Sequence, residues 1–209
     1  MSIFERNVFI NCPFDEDFYG ILRPIIFTII YAGLTPRISL ESLDSGASRI
    51  DQITRLIEES KYAIHDLSRM RANAKGEYFR LNMPLELGLD LGARKFGSGK
   101  LKHKQCLILE AEPHRYKAAI SDLSGSDIYH HENDPAKAVV AVRNWLRGTC
   151  GMNLPGPTLI WDSFNFFMAA LYDELSSWGF SDDDIKYLPM PELIEYMISW
   201  VCSEADIGA

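Results

Sequence analysis

Apolar positions along the chain follow two alternating rhythms: short β-branched runs, and longer stretches in which apolar residues recur every three or four positions. Residues 8–14 (VFINCPF) read as a buried strand that ends near Asn11, because a Pro and an acidic cluster follow it. Residues 15–34 suit a helix. Its regular part is expected to start near Leu22, so that Pro24, which has no amide donor, falls in the first turn, and Gly33 is its natural stop. Residues 35–40 predict a second strand, ESLDSGAS a turn-rich loop, and 49–60 a helix through Ile50, Ile53, Leu56 and Ile57. A third strand is expected over 62–67 (YAIHDL), then a polar loop over 68–76 and a helix over 81–96. Beyond these come a fourth strand over 105–111 (QCLILEA), a helical stretch over 116–123, a short strand over 127–130, and a helix over 134–147 that opens on Asp134 as N-cap and Pro135.

Such alternation predicts an α/β domain over residues 1–148: five parallel strands, right-handed crossovers and helices on both faces, with any ligand beyond the carboxyl ends of the strands. Residues 149–158 (TCGMNLPGPT) form a Gly/Pro-rich linker. After it, 159–178 and 191–203 read as two amphipathic helices joined by the acidic run 181–185, a helical C-terminal extension over 149–209. The aromatic stripes of this tail, with Trp161, Phe164, Phe167, Trp178 and Trp200, are expected to pack on the first domain or on a second subunit rather than to bind a ligand.

Composition narrows the function. The chain has 209 residues, 47% of them apolar, a formal charge of −8 and a pI near 5.1. An acidic chain is a poor general ligand for nucleic acid or anionic membranes, so small molecules, or further copies of the chain in a homo-oligomer, are the expected partners. Cys12, Cys106, Cys150 and Cys202 form no CxxC pair and read as free thiols. The apolar stretch 25–34 is shorter than the roughly 20 residues of a membrane span, and the first residues do not read as a signal peptide, so a cytoplasmic location is expected. There is no Gly-rich phosphate motif of the Walker or dinucleotide type, and no cofactor is expected.

Unusual polar residues fall where strands should end: Asn11 and Cys12 after the first, Asp44 to Arg49 after the second, Asp66 and Ser68 after the third. Glu86 stands among Leu85, Leu87, Leu89 and Leu91 in NMPLELGLDLGA, with Asp90 one turn on. Two placements suit it. In a cleft, apolar surroundings would raise its pKa while Asp66 stays ionised, a catalytic arrangement of two carboxylates; otherwise Glu86 faces solvent and Asp66 caps a loop. Asn82 and Gly88 flank Glu86 and fit a close approach of the helix to a ligand or the sheet. Ser48 and Arg49 suit either a helix cap or a phosphate site. Strand alternation sends His65 to the face opposite Asp66, so His65 reads as a packed histidine. His114, His130 and His131 lack carboxylate or Cys neighbours at ligand spacing, and no metal site is expected.

Taken together, VFINCPFD, IEESKYAIHDLS and NMPLELGLDLGA resemble the nucleoside 2-deoxyribosyltransferase and Toll/interleukin-1 receptor (TIR) group of flavodoxin-like folds, over residues 7–147. The resemblance implies a flavodoxin-like sheet and cleavage of an N-glycosidic bond, with Glu86 as the catalytic carboxylate and Asp66 orienting base or ribose. Asn11, Cys12, Ser45, Gly46, Ser48, Arg49, Ser68 and Asn82 would line the substrate pocket. It implies a nucleoside, a nucleotide or NAD as substrate, and for bacterial members a part in anti-phage defence. Where the transferases carry an Asp-rich stretch before the Glu, this chain has FRLNMPL, which leaves open a non-catalytic TIR-like module that binds a nucleotide or a partner. A receiver domain would need an acidic pair directly after the first strand and a late Lys; Asp15 and Asp17 stand too far on, and EAEPHR has no Lys.

Overall fold

The computed structural model describes residues 2–41, 46–70 and 81–207. In it β1 (Asn7–Asn11), β2 (Thr35–Ile38), β3 (Tyr62–Asp66), β4 (Gln105–Glu110) and β5 (Ile128–His130) form one all-parallel sheet in the order β2-β1-β3-β4-β5. The fold is flavodoxin-like. β1 and β3, paired on both sides and covered on both faces, are buried at every position, whereas the edge strands β2 and β5 are partly open. Strand order reverses between β1, which is followed in the chain by its neighbour on one side, and β3, which lies on its other side. In sheets of this kind ligands take the crevice at such a reversal, which here lies beyond Asn11 and Asp66, the last residues of these two strands.

A one-turn helix α1 (Ile3–Arg6), closed by a capping box between Ser2 and Glu5, leads into β1. Helices α2 (Glu16–Tyr31) and α5 (Pro135–Cys150) cover one face of the sheet, and α3 (Arg49–Glu59) and α4 (Asn82–Phe96) the other. Beyond them in sequence lie α6 (Pro157–Ser177), α7 (Asp182–Lys186) and α8 (Met190–Ile207). α2 is buried at seven consecutive residues, Pro24 to Ile30, and a helix of 3.6 residues per turn cannot turn seven in a row to one side. Its second apolar side is met by α6 and α8: Phe27 stacks on Phe167 at 5.7 Å and meets Phe164 edge-on at 5.5 Å. One hydrophobic cluster thus runs from Ile10 and Ile64 in the sheet, through α2 and α5, to Leu171 and Met197 in the tail.

Several boundaries differ from the sequence reading. α2 begins at Glu16, not near Leu22, and Pro24 lies in its third turn; burial of the surrounding Ile and Phe residues outweighs the one backbone bond that Pro24 cannot make. Residues 116–123 are not one helix but parts of two short 3-10 turns, Arg115–Ala118 and Ser121–Gly125. α5 continues through Cys150 and stops at Gly151, whose φ of 65° is left-handed, so the linker shrinks to residues 151–156. Asp134 caps α5 as expected, accepting from the amides of Ala136 and Lys137. The acidic run becomes α7, with its own capping box between Ser181 and Asp184. Trp178 departs from the expected packing stripe: it follows the last turn of α6 and is 59% exposed. Among the described residues no helix is long and apolar enough to cross a membrane.

Phe167 carries the seam between α2 and the tail helices, so Phe167→Ala is expected to lower stability by about 3–5 kcal/mol, whereas the same change at exposed Phe166 should stay within about 0.5 kcal/mol. Denaturant unfolding of the two variants measures both.

Candidate functional site

At the strand reversal, parallel pairing sets Asn11 beside His65, so both side chains point to the α3/α4 face. Asn11 Nδ2 is 3.0 Å from His65 Nδ1 and donates to the Met83 carbonyl at 2.8 Å, which ties the first turn of α4 to the end of β1. Asn11 is 1% exposed and its Oδ1 has no hydrogen-bond partner among the described residues. Three residues after Met83, on the same side of α4, stands Glu86.

Glu86 is 6% exposed, and among the described residues no hydrogen-bond donor reaches its carboxylate. Burial pushes its pKa up from 4.5 to about 7, against the pull of the Arg49 guanidinium. Arg49, exposed at the start of α3, donates through Nη2 to Ser39 Oγ at 3.1 Å, and so spans the end of β2 and the crevice. Ser48 occupies the N-cap position of α3, but its hydroxyl makes no capping bond. Ser48, Gly46 and Asn82 are exposed, and Asp44 and Ser45 lie outside the described residues. Gly88 is exposed, and a Cβ there would meet nothing within 4 Å, so close approach to the sheet does not explain this glycine.

A second carboxylate of α4 has the opposite fate. Asp90, one turn beyond Glu86, lies 3.3 Å from His65 Nε2 and 2.9 Å from Lys104 Nζ, all three groups being buried. Burial opposes its charge, but His65 and Lys104 together hold its pKa below the ordinary value. The Lys104 ammonium also donates to the carbonyls of Ile57 and Ser60 at the C-terminal end of α3, where the helix dipole favours a cation. With Nδ1 facing the Asn11 amide, the His65 proton belongs on Nε2, towards Asp90. His65 is therefore packed and hydrogen-bonded at once.

Asp66 points to the other face. It is fully buried; Oδ1 accepts from the Ser68 amide at 2.8 Å and Oδ2 lies 3.0 Å from His131 Nε2. His131 does, then, have a carboxylate partner, which spacing along the chain could not show, because α4, β4, β5 and three 3-10 turns intervene among the described residues. Its Nδ1 accepts from the Asn133 amide, so its proton sits on Nε2, which also lies 3.0 Å from Ser68 Oγ. Ser68, His131 and Asp66 are not a nucleophilic triad, since serine and aspartate meet the same ring nitrogen. Arg115, another residue without a sequence signal, binds the Ser68 carbonyl and Glu110, and pins the loop after β3. Cys12 is fully buried between the charges of Asp66 and Glu86; its thiol pKa is pushed well up, mainly by burial, which makes it a packing residue rather than a nucleophile.

Asn11, Arg49 and Glu86 thus meet at the strand reversal, Ser48 and Asn82 are the chain neighbours of Arg49 and Met83, and Cys12, Asp66 and Ser68 are buried. On the α2 side of the same sheet end, a depression of about 360 Å³ is lined by Asp17, Ser68, Arg69, Arg115 and Asn133 among others. Among the described residues no group of three or more His, Cys, Asp or Glu side chains is placed to hold a metal ion. Compared with family models, with curated proteins and with solved structures, the chain has no match in any of the three.

The folded chain holds the Glu86 proton up to about pH 7, whereas the unfolded chain releases it near 4.5, so stability falls as pH rises through that window. Glu86→Gln should remove this slope and stabilise the chain above pH 7 by about 1–3 kcal/mol, with little effect below pH 4.5; unfolding at pH 4 and pH 8 tests it. Asp90→Ala, which leaves the Lys104 ammonium buried without its carboxylate, should cost about 3–5 kcal/mol in the same measurement.

Proposed function

We propose that this chain cleaves the N-glycosidic bond of a nucleoside, nucleotide or NAD, by hydrolysis or transfer, with Glu86 as the catalytic carboxylate. The observation that carries this reading is an acidic side chain buried without a hydrogen-bond donor among the described residues, at the strand reversal, with its pKa raised to about 7. Resemblance of PLELGLDLGA and IEESKYAIHDLS to the deoxyribosyltransferase and TIR group supports it independently.

In the reaction, ionised Glu86 bonds to the anomeric carbon as the bond from that carbon to the base breaks. The base leaves with the electron pair: nicotinamide from NAD departs as the neutral molecule, and the base of a nucleoside or nucleotide takes a proton from water. A water molecule or a second base then attacks the same carbon and restores the carboxylate. Before that step, burial keeps Glu86 poorly solvated and reactive. Arg49 favours its ionised form and offers a cation to a phosphate, and buried Asn11 holds the first turn of α4, and with it Glu86, at the end of β1. Asp66, with both oxygens occupied, holds the loop after β3 and acts on the site through its shape. This reading carries with it a cytoplasmic homo-oligomer, NAD as substrate rather than cofactor, and a place in bacterial anti-phage defence.

A non-catalytic nucleotide-binding module is the second reading. The engagement of Asp66 favours it, since the two-carboxylate arrangement expected from the sequence is reduced to Glu86 among the buried carboxylates described at the crevice.

Incubating the chain and its Glu86→Gln form with NAD and a panel of nucleosides and nucleotides, with free base followed by chromatography, separates the readings. Glycosidase chemistry requires base release that falls on the order of 10²–10⁴-fold in the variant. It also requires kcat/KM to rise with pH through about 7 as Glu86 ionises. Equal release from both proteins overturns the role of Glu86; ligand binding without release from either supports the module.

A further inference from the structure

At the opposite end of the sheet, where β3 and β4 begin, lies a cleft of about 670 Å³ that the crevice chemistry does not use. Lys61, Arg94, Lys100, Lys102 and Lys104 line it, opposed by Glu5. Lys104 is committed to Asp90 and the end of α3, and the Lys61 ammonium is 4.0 Å from Glu5. Lys100 lies 4.8 Å above the Phe4 ring, which floors the cleft. Arg94 and Lys102 have no ion-pair or hydrogen-bond partner among the described residues. Like charges are brought together here from three separate elements: the turn before β3, the end of α4 and the 3-10 turn Gly99–His103.

Arg94 has a local use, since a cation complements the C-terminal dipole of α4. That account does not extend to Lys61, Lys100 and Lys102, which converge on the same space from other elements. Gathering Lys61, Arg94, Lys100 and Lys102 around one carboxylate, Glu5, costs mutual repulsion that a bound anion would relieve. In a chain of formal charge −8, such a cluster leaves the remaining surface more negative still, which disfavours a long polyanion that would overrun the cleft. The volume is that of a small-molecule site.

We propose that this cleft is a second ligand site, for a small anion carrying two or more phosphate groups, held by Lys61, Arg94, Lys100 and Lys102 with Phe4 beneath. It stands apart from the Glu86 crevice and does not rest on the function proposed for it.

Calorimetric titration of the full chain with inorganic tripolyphosphate at physiological salt tests the site. The expected result is saturable binding of one anion per chain that weakens as salt rises. Lys100→Glu/Lys102→Glu should weaken it by at least about tenfold, and Lys102→Ala in the same direction by less, with unchanged melting curves, whereas Arg49→Ala should bind as the parent does. No saturable binding overturns the proposal, as does unaltered affinity in the double variant. Loss of binding in Arg49→Ala, with the double variant intact, assigns the anion to the crevice and also overturns it. So does a single-stranded oligonucleotide that binds through Lys100 and Lys102 where tripolyphosphate does not, because the surface would then serve nucleic acid.

Discussion

Helix α2 has no face left for water between Pro24 and Ile30, and the rest of the architecture answers to that. The sheet and α5 meet one side of the helix; α6 and α8 must meet the other, or Phe27 and its neighbours would stand exposed. The tail is therefore part of the same hydrophobic cluster as the sheet. Fixing α2 also fixes the loop that leads into it from β1, and with that loop the wall of the crevice beyond Asn11.

Three carboxylates near the carboxyl ends of the strands show how environment sorts one functional group into different roles. Asp66 is covered by donors and becomes a brace for the loop after β3. Asp90 is covered by cations and becomes half of a buried ion cluster. Glu86 has burial without donors among the described residues, which turns the cost of desolvation into a raised pKa. Helical spacing puts Glu86 and Asp90 a single turn apart, so their difference comes from what β3 and β4 present to each of them. His65 and Lys104 reach Asp90, and Arg49 acts on Glu86 through space.

Much of this was legible in the chain. Alternating rhythms marked all five strands to within a few residues, because buried parallel strands are nearly continuous apolar runs, and Gly33, Asp134 and Pro135 punctuate helices by chemistry that tertiary contacts seldom override. Pro24 misled because the penalty of a mid-helix proline is small beside the burial of a whole helix. The 3-10 turns at residues 115–125 misled because apolar spacing over so short a stretch does not distinguish them from α-helix. At the site, Glu86 stood out as a charge among leucines, whereas the partner of Asp66 did not: His131 comes from beyond β5, and the pairing exists only once the sheet has assembled. Lys104 gave no signal either, since a lysine before a strand reads as solvated until the strand places it under α3.

The buried chain from Asn11 through His65 and Asp90 to Lys104 has a meaning for how this sequence can vary over time. A neutral residue in place of Lys104 strands the charge of Asp90, and a neutral residue in place of Asp90 strands that of Lys104, so each single step is costly and the tolerated route changes both together. Positions 90 and 104, and to a lesser degree 11 and 65, should accordingly drift as a set among descendants of this chain. Glu86 has no such internal partner among the described residues, so the fold places no comparable demand on position 86.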